Sequence, residues 1–381
     1  MKIAVVAYEM EGARTGVGRY LEGLLSGIAG LENDWRWLLF FKGDPFDHPL
    51  WTARRPAGGP AFEPIFDRRS ASRPILWEQL RLPRLLGWAG ADVLFSPAYS
   101  LPPAGGLPSL VTVHDLSFEH LPGEFPWKER WRRRLLARRA VRRARRVLAD
   151  TREIARDLER TYGIDRGRIG VVPLALDPSF LEDEPPAAGD DERVLRSLGV
   201  RSPYLLQVGS ILERRRADLV IAAFSNLAAR EPELRLVLAG ANRLLRPRRL
   251  ERWIDASGCG ERITVLGYVG EDVLRALYRR AALTFSVSSY EGYGLPPLES
   301  LASGTPAVVS RGLALDDLWP EYPYCCERLD RALVTATAEK ALAETEGWRD
   351  LITEARRRLA RLTWKRSAEL FVAEIERALA S

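Results

Sequence analysis

Cysteine is scarce in this 381-residue chain: only Cys259 and the neighbours Cys325 and Cys326 occur, with no C-x-x-C pair and no histidine clustered nearby. Neither a disulfide framework nor a zinc site is expected, and a reducing cytoplasm is. Long apolar runs are missing too, since none approaches the roughly 20 residues needed to span a bilayer. The N-terminus MKIAVVAYEMEG has one early lysine, a short apolar run and acidic residues directly after it, so it reads as a first β-strand and not as a signal peptide. No internal repeat or low-complexity tract stands out, which sets repeat architectures aside. Lysine is nearly absent: of 57 basic residues only Lys2, Lys42, Lys128, Lys340 and Lys365 are lysines. A net charge of +6 and a pI near 9.3 would suit nucleic acid or anionic lipid. An arginine-for-lysine skew of this size, however, follows from a GC-rich genome without any functional demand, and no nucleic-acid partner is expected.

What is present is the composition of a globular protein, 46% hydrophobic and 28% charged. The length suggests two domains of ordinary size. Apolar runs at residues 2–7, 37–41, 92–95, 110–113 and 146–149 alternate with helix-length segments, and a second series follows at 204–208, 234–239, 263–266, 283–287 and 307–309. That alternation predicts α/β architecture, two Rossmann-like domains each built on a parallel sheet. The expected division is an N-terminal domain over residues 1–176, a linker rich in Pro, Gly and acid over 177–191, a C-terminal domain over 192–362, and a C-terminal helix over 363–381 that crosses back to the first domain.

Residues 289–306, SYEGYGLPPLESLASGTP, place Glu291 and Glu299 eight positions apart around a glycine turn. Gly292 and Gly294 permit a tight backbone path, and Pro296 or Pro297 suits a first helical turn. A helix opening there offers N–H groups and positive dipole to a phosphate. Carboxylates beside that anion need other partners, and sugar hydroxyls are the natural ones. The plainer alternative is a helix entry with ordinary turn residues. In the stretch QVGSILERRRADLVIAAF, a strand ends at Gly209 and a loop bearing Arg214, Arg215 and Arg216 leads into a helix, where guanidinium forks suit phosphate oxygens. A solvated arginine run is the alternative there. His114 and Asp115 follow a strand directly in VTVHDLSFEHLP.

The 289–306 segment resembles the E-x7-E motif of the retaining family-4 glycosyltransferases of the GT-B fold, E-G-[FY]-G-L-P-x-L-E followed by A-x-G-x-P. It is matched at Glu291, Gly292, Tyr293, Gly294, Leu295, Pro296, Leu298, Glu299, Ala302, Gly304 and Pro306. The arginine loop is similar to the family's phosphate-binding element G-x-x-x-P-R-K-N, with Arg214 in the Arg place, Arg215 in the Lys place and Glu213 where Pro is usual. Gly16 and Gly18 match the first glycine loop, which approaches the diphosphate and acceptor. His114 matches the histidine that lies against the donor sugar, and Asp177 ends a V-P-x-G-x-D element in which Ala175 replaces Gly.

The resemblance implies two domains facing each other across a cleft, and a retaining hexosyl transfer with mannosyltransferase-like character. It implies a nucleotide-sugar donor, GDP-mannose first and a UDP-hexose second, with a glycan, lipid-linked or small-molecule acceptor. No metal and no other cofactor is expected. Glu291 is expected on donor-sugar hydroxyls, Glu299 on the ribose, Arg214 and Arg215 on the diphosphate, and His114 either places the sugar or aids proton transfer. A GT-B epimerase and a catalytically weak basic scaffold or nucleic-acid-binding protein stand as alternatives. The basic stretch from Lys128 to Arg146 carries 11 basic residues with Trp131, Leu135, Leu136 and Val141 interleaved. It is read first as an amphipathic helix packed on the first domain, and second as a peripheral contact with anionic membrane at the inner face of the plasma membrane.

Overall fold

The computed structural model describes the chain apart from residues 13–14, 54–57, 69–72, 104–105, 183–189 and 381. It resolves into two compact units: one gathers Met1–His120, Trp127–Ala175 and Leu362–Ser381, the other Leu121–Pro126 and Leu176–Arg361. In the first, strands β1 (Lys2–Val6), β2 (Arg36–Phe41), β3 (Ala61–Phe66), β4 (Val93–Ser96), β5 (Ser109–Val113), β6 (Arg146–Ala149) and β7 (Ile169–Val171) lie in the order β3-β2-β1-β4-β5-β6-β7. In the second, β8 (Tyr204–Val208), β9 (Arg235–Ala239), β10 (Ile263–Leu266), β11 (Leu283–Ser286), β12 (Ala307–Ser310) and β13 (Cys325–Cys326) lie in the order β10-β9-β8-β11-β12-β13. Every pairing is parallel. Central strands such as KIAVV and RWLLFF are apolar almost throughout because helices cover both faces of such a sheet. These are two Rossmann-like domains. In each, the strand order reverses once, between β1 and β4 and between β8 and β11. A crevice opens at the carboxyl ends of the strands at such a point.

Three strands were not foreseen, β3, β7 and β13, and all three lie at sheet edges. An edge strand needs no N–H on its open side and little apolar content. β3 therefore carries Pro64, β7 has Gly170 at its centre, and β13 is only two residues long.

The expected linker is corrected at both ends. Asp177 caps a short turn by accepting from the Ser179 N–H at 2.9 Å, and Phe180 meets the Tyr278 ring edge-on. Asp191 lies in the helix Asp190–Ser197 and binds Arg279 through both oxygens, at 2.7 and 2.9 Å. Acid and proline suit a cap and a first helical turn as well as a linker. Leu121–Pro126, expected within the first domain, belongs to the second unit because Glu124 is buried there against Arg214.

The helix Trp364–Ala380 completes the first unit. Phe371, fully buried, packs on Phe95 and Trp37 with ring centroids 4.5 and 6.1 Å away. It lies along the helix Gly16–Ala29, where a Cβ on Gly23 would stand 2.1 Å from the Trp364 ring. Gly23 and Gly27, four residues apart, form the groove that Trp364 fills.

Candidate functional site

In the second unit, the loops after β8 and β11 meet at the switch point. The backbone leaves β8 through Gly209 at φ +110°, and Arg215 runs back over it from the short turn Glu213–Arg215. A Cβ on Gly209 would lie 1.9 Å from the Arg215 guanidinium, so only glycine lets this side chain cross. Arg215 then binds Glu291 through Nε and Nη2, each 3.0 Å from a carboxylate oxygen. Gln207 donates to the Arg215 carbonyl at 2.7 Å. Burial alone would push the Glu291 carboxyl up, but the Arg215 guanidinium outweighs it and holds the group below the usual carboxylate range. Burial likewise opposes the Arg215 charge, and Glu291 more than restores it.

The other two arginines have different partners. The Arg214 backbone N–H and guanidinium both donate to Glu124, the latter at 2.6 Å, and its carbonyl accepts from the Ser289 N–H at 2.7 Å. Arg216, left-handed at φ 46°, turns to Asp218 at 2.9 Å and anchors the next helix. Gly292 and Tyr293 are buried in the second loop, whose path is fixed where the Tyr293 carbonyl accepts from the Ala314 N–H at 2.7 Å. Gly294, at φ +82°, opens the helix Leu295–Ala302. Pro296 and Pro297 follow at its second and third positions and carry no N–H, which narrows the donors at this end to Gly294 and Leu295. Glu299 accepts from the Tyr278 hydroxyl at 2.8 Å. Burial, and then Glu299, push that phenol far above its usual range, so it stays a donor. Gln207, Arg215, Ser288, Glu291, Gly294 and Pro296 line a small cavity at the switch point.

The first unit holds His114, Gly16 and Gly18. Val113 pairs with Ala149 in register, so the residues that follow, His114 and Asp150, leave β5 and β6 side by side. His114 Nδ1 is 2.7 Å from an Asp150 oxygen and Nε2 is 2.9 Å from the Pro97 carbonyl. A carbonyl and a carboxylate both only accept, so this setting favours hydrogen on both nitrogens of the ring. Burial would lower its pKa, but Asp150, the Pro97 carbonyl and Asp115 together raise it. Gly18 is packed, since a Cβ there would lie 2.3 Å from the Glu9 carbonyl, whereas Gly16 faces open space.

Asp150, Glu124 and Tyr278 were not singled out from the sequence. Asp150 ends a strand run, and that position is a signal that could have found it. Glu124 in LPGEFP and Tyr278 inside a helix carry no such mark, because their partners are distant in sequence.

Two family models match the chain. "Glycosyltransferase Family 4" covers residues 14–180, and "Glycosyl transferases group 1" covers residues 192–358. Mannosylfructose-phosphate synthase of Agrobacterium fabrum is 30% identical over 193 residues, 49% of this chain and 41% of that protein. D-inositol 3-phosphate glycosyltransferase of Nocardia farcinica is 33% identical over 175 residues, 45% of this chain and 38% of that protein. The match thus spans about two fifths of the length of these relatives. Among solved structures, sucrose-phosphate synthase of Thermosynechococcus elongatus superposes with a TM-score of 0.72 at 20% identity, covering 100% of both chains. Anabaena HepE in complex with UDP-glucose gives 0.72 at 14% identity over 99% of both. With both halves matched in order, and with E-x7-E spanning Glu291 to Glu299, the chain belongs to the family-4, group 1 glycosyltransferases and has their GT-B fold.

Proposed function

We propose that this protein is a retaining glycosyltransferase that moves a hexose from a nucleoside-diphosphate sugar to a glycan, lipid-linked or small-molecule acceptor in the cytoplasm, without a metal ion. The observation that carries this reading is the Arg215–Glu291 pair at the switch point, beside Arg214 and the glycine-opened helix. Donor entry would exchange partners: the diphosphate takes the guanidinium, and Glu291 turns to sugar hydroxyls. As the bond from the anomeric carbon to the leaving oxygen breaks, negative charge grows on the β-phosphate, where Arg214 and Arg215 would stabilise it without reorganisation. That cationic charge supplies what a divalent ion would otherwise provide. Glu299, which accepts from the Tyr278 hydroxyl, would take the ribose hydroxyls. His114, whose charged form Asp150 and the Pro97 carbonyl favour, would position the donor sugar.

GDP-mannose is the first donor to test and a UDP-hexose the second. A relative named for mannosylfructose phosphate supports the former, and a fold neighbour solved with UDP-glucose supports the latter. Thermal-shift screening of nucleotide sugars reads the donor directly, because a ligand at 100 times its Kd adds about 2.7 kcal/mol. Turnover of the stabilising donor should need an acceptor and persist in excess EDTA. Epimerised sugar formed without acceptor would replace the reading with that of an epimerase, and no stabilisation by any donor would contradict both.

A further inference from the structure

In the loop after β8, each residue from Glu213 to Arg216 has a partner of opposite charge. Glu213 meets Arg249 at 2.7 Å and Arg216 meets Asp218 at 2.9 Å, and these two outer pairs are open to water. The inner two lie deeper: Arg215 with Glu291, and Arg214 with Glu124, whose side chains are 13% and 5% exposed. Two guanidiniums at the switch point are thus neutralised by two carboxylates. Sugar hydroxyls give Glu291 a second partner during transfer, but the reaction as described has no use for Glu124.

Glu124 comes from the segment Leu121–Pro126 and grips Arg214 twice, taking the backbone N–H with one oxygen and the guanidinium with the other. A guanidinium held out of water keeps an anionic partner, because stranding one buried charge costs more than the pair itself is worth. Arg214 can therefore pass from one anion to another but not stand bare. The segment's own turn does not depend on Arg214, since the Glu124 N–H donates to the Leu121 carbonyl at 3.1 Å. Pro122, Gly123 and Pro126 are exposed, and a Cβ on Gly123 would meet nothing within 4 Å.

We propose that Glu124 is an internal stand-in for the diphosphate: it occupies Arg214 until nucleotide displaces it, and it reclaims Arg214 as nucleotide leaves. This rests on the transferase reading of the arginine site and adds the group that the donor must displace. The diphosphate wins the exchange because it meets both arginines with at least two charges, whereas Glu124 offers one carboxylate to one of them. After transfer, the same competition speeds release of the nucleoside diphosphate, a step that limits turnover in many enzymes.

Calorimetry of the full chain with GDP and with UDP is the test. Glu124→Gln keeps the size of the side chain and one acceptor for the Arg214 N–H, but removes the competing charge. For whichever nucleotide binds, Kd should fall about 10-fold, the difference between a charged and a neutral hydrogen bond to the guanidinium. The gain should appear as slower dissociation in stopped flow. A residue that merely holds the turn in place predicts the opposite sign. In the unaltered protein, carbodiimide coupling of glycinamide, mapped by peptide mass, should label Glu124 slowly in the absence of nucleotide and several-fold faster at saturation. That readout does not depend on how the variant folds. Equal or weaker binding by Glu124→Gln, or protection of Glu124 by nucleotide, would overturn the proposal and leave the transferase reading standing. If neither nucleotide binds either protein, both fall.

Discussion

The Pro97 carbonyl and the Asp150 carboxylate both accept from the His114 ring, which favours its charged form and makes that preference testable. Its pKa is raised above the ordinary 6.5. The stabilisation from the imidazolium is then fully present below that value and is lost as pH rises through the folded pKa. With only three histidines in the chain, an NMR titration can resolve each ring. The His114 midpoint should lie above 6.5 and fall on Asp150→Asn; a midpoint below 6.5 would contradict the arrangement. Glu291 shifts the other way. Its lowered pKa gives stability that is present above the ordinary carboxylate value and lost as pH falls through the folded one. The stability gap between wild type and Glu291→Gln should accordingly be widest near neutral pH and close on acidification, as measured by urea unfolding. A pH-independent gap would mean that the Arg215 pair is not what the substitution removes. Glu299 calls for a conservative change, because alanine would strand the buried Tyr278 hydroxyl at a cost of about 1 to 3 kcal/mol. Glu299→Gln keeps an acceptor for that hydroxyl, so its thermal midpoint should hold. Donor Kd by calorimetry should rise roughly 10-fold or more, as expected for losing a charged hydrogen bond; unchanged affinity would remove Glu299 from the donor site.

At the scale of elements, the loop after β8 depends on one glycine. Gly209→Ala puts a Cβ into the Arg215 guanidinium and imposes a side chain on φ +110°, a region that costs of order 1 to 3 kcal/mol. Arg215 should leave Glu291, and nucleoside-diphosphate affinity should fall with little change in helix content, as calorimetry and circular dichroism would show. Retained affinity would mean that Arg215 is not needed where it stands. The glycine was legible in the sequence because it ends an apolar run before a basic loop. The central strands were legible for a related reason, as each is an apolar run buried on both faces. Edge strands β3, β7 and β13 were not, since half-exposed backbone tolerates the proline and glycine that usually argue against a strand. The site divides along the same line. Gly209, Arg215, Glu291 and Glu299 sit in local motifs, while Glu124 reaches Arg214 across 90 positions of sequence and leaves no periodic trace.

For the whole molecule, alternation of strands and helices announces two Rossmann-like domains, but sequence order does not say which segment completes which core. Leu121–Pro126 sits with the second unit and the last helix with the first, so each unit borrows chain from beyond its own main stretch. The last helix is the stronger case. Phe371 is fully buried between Trp37 and Phe95, and Glu374, 4% exposed, meets Arg146 of β6 with Nε 2.6 Å from its carboxylate. Phe371→Ala should therefore cost about 3 to 5 kcal/mol, although it lies only ten residues from the end of the chain. The cost belongs to the first unit alone. In a unit of this size each kcal/mol moves the midpoint by roughly 2 to 4 °C. Calorimetry of the variant should show one transition displaced downward and a second, carrying the core around Phe224 and Phe285, left in place. Nucleoside diphosphate should raise only that second transition, because its candidate ligands Arg214, Arg215 and Glu299 all lie in the second unit. A single transition that Phe371→Ala and nucleotide both shift would mean that the two cores unfold as one cooperative body, and the division read from the packing would not be thermodynamic.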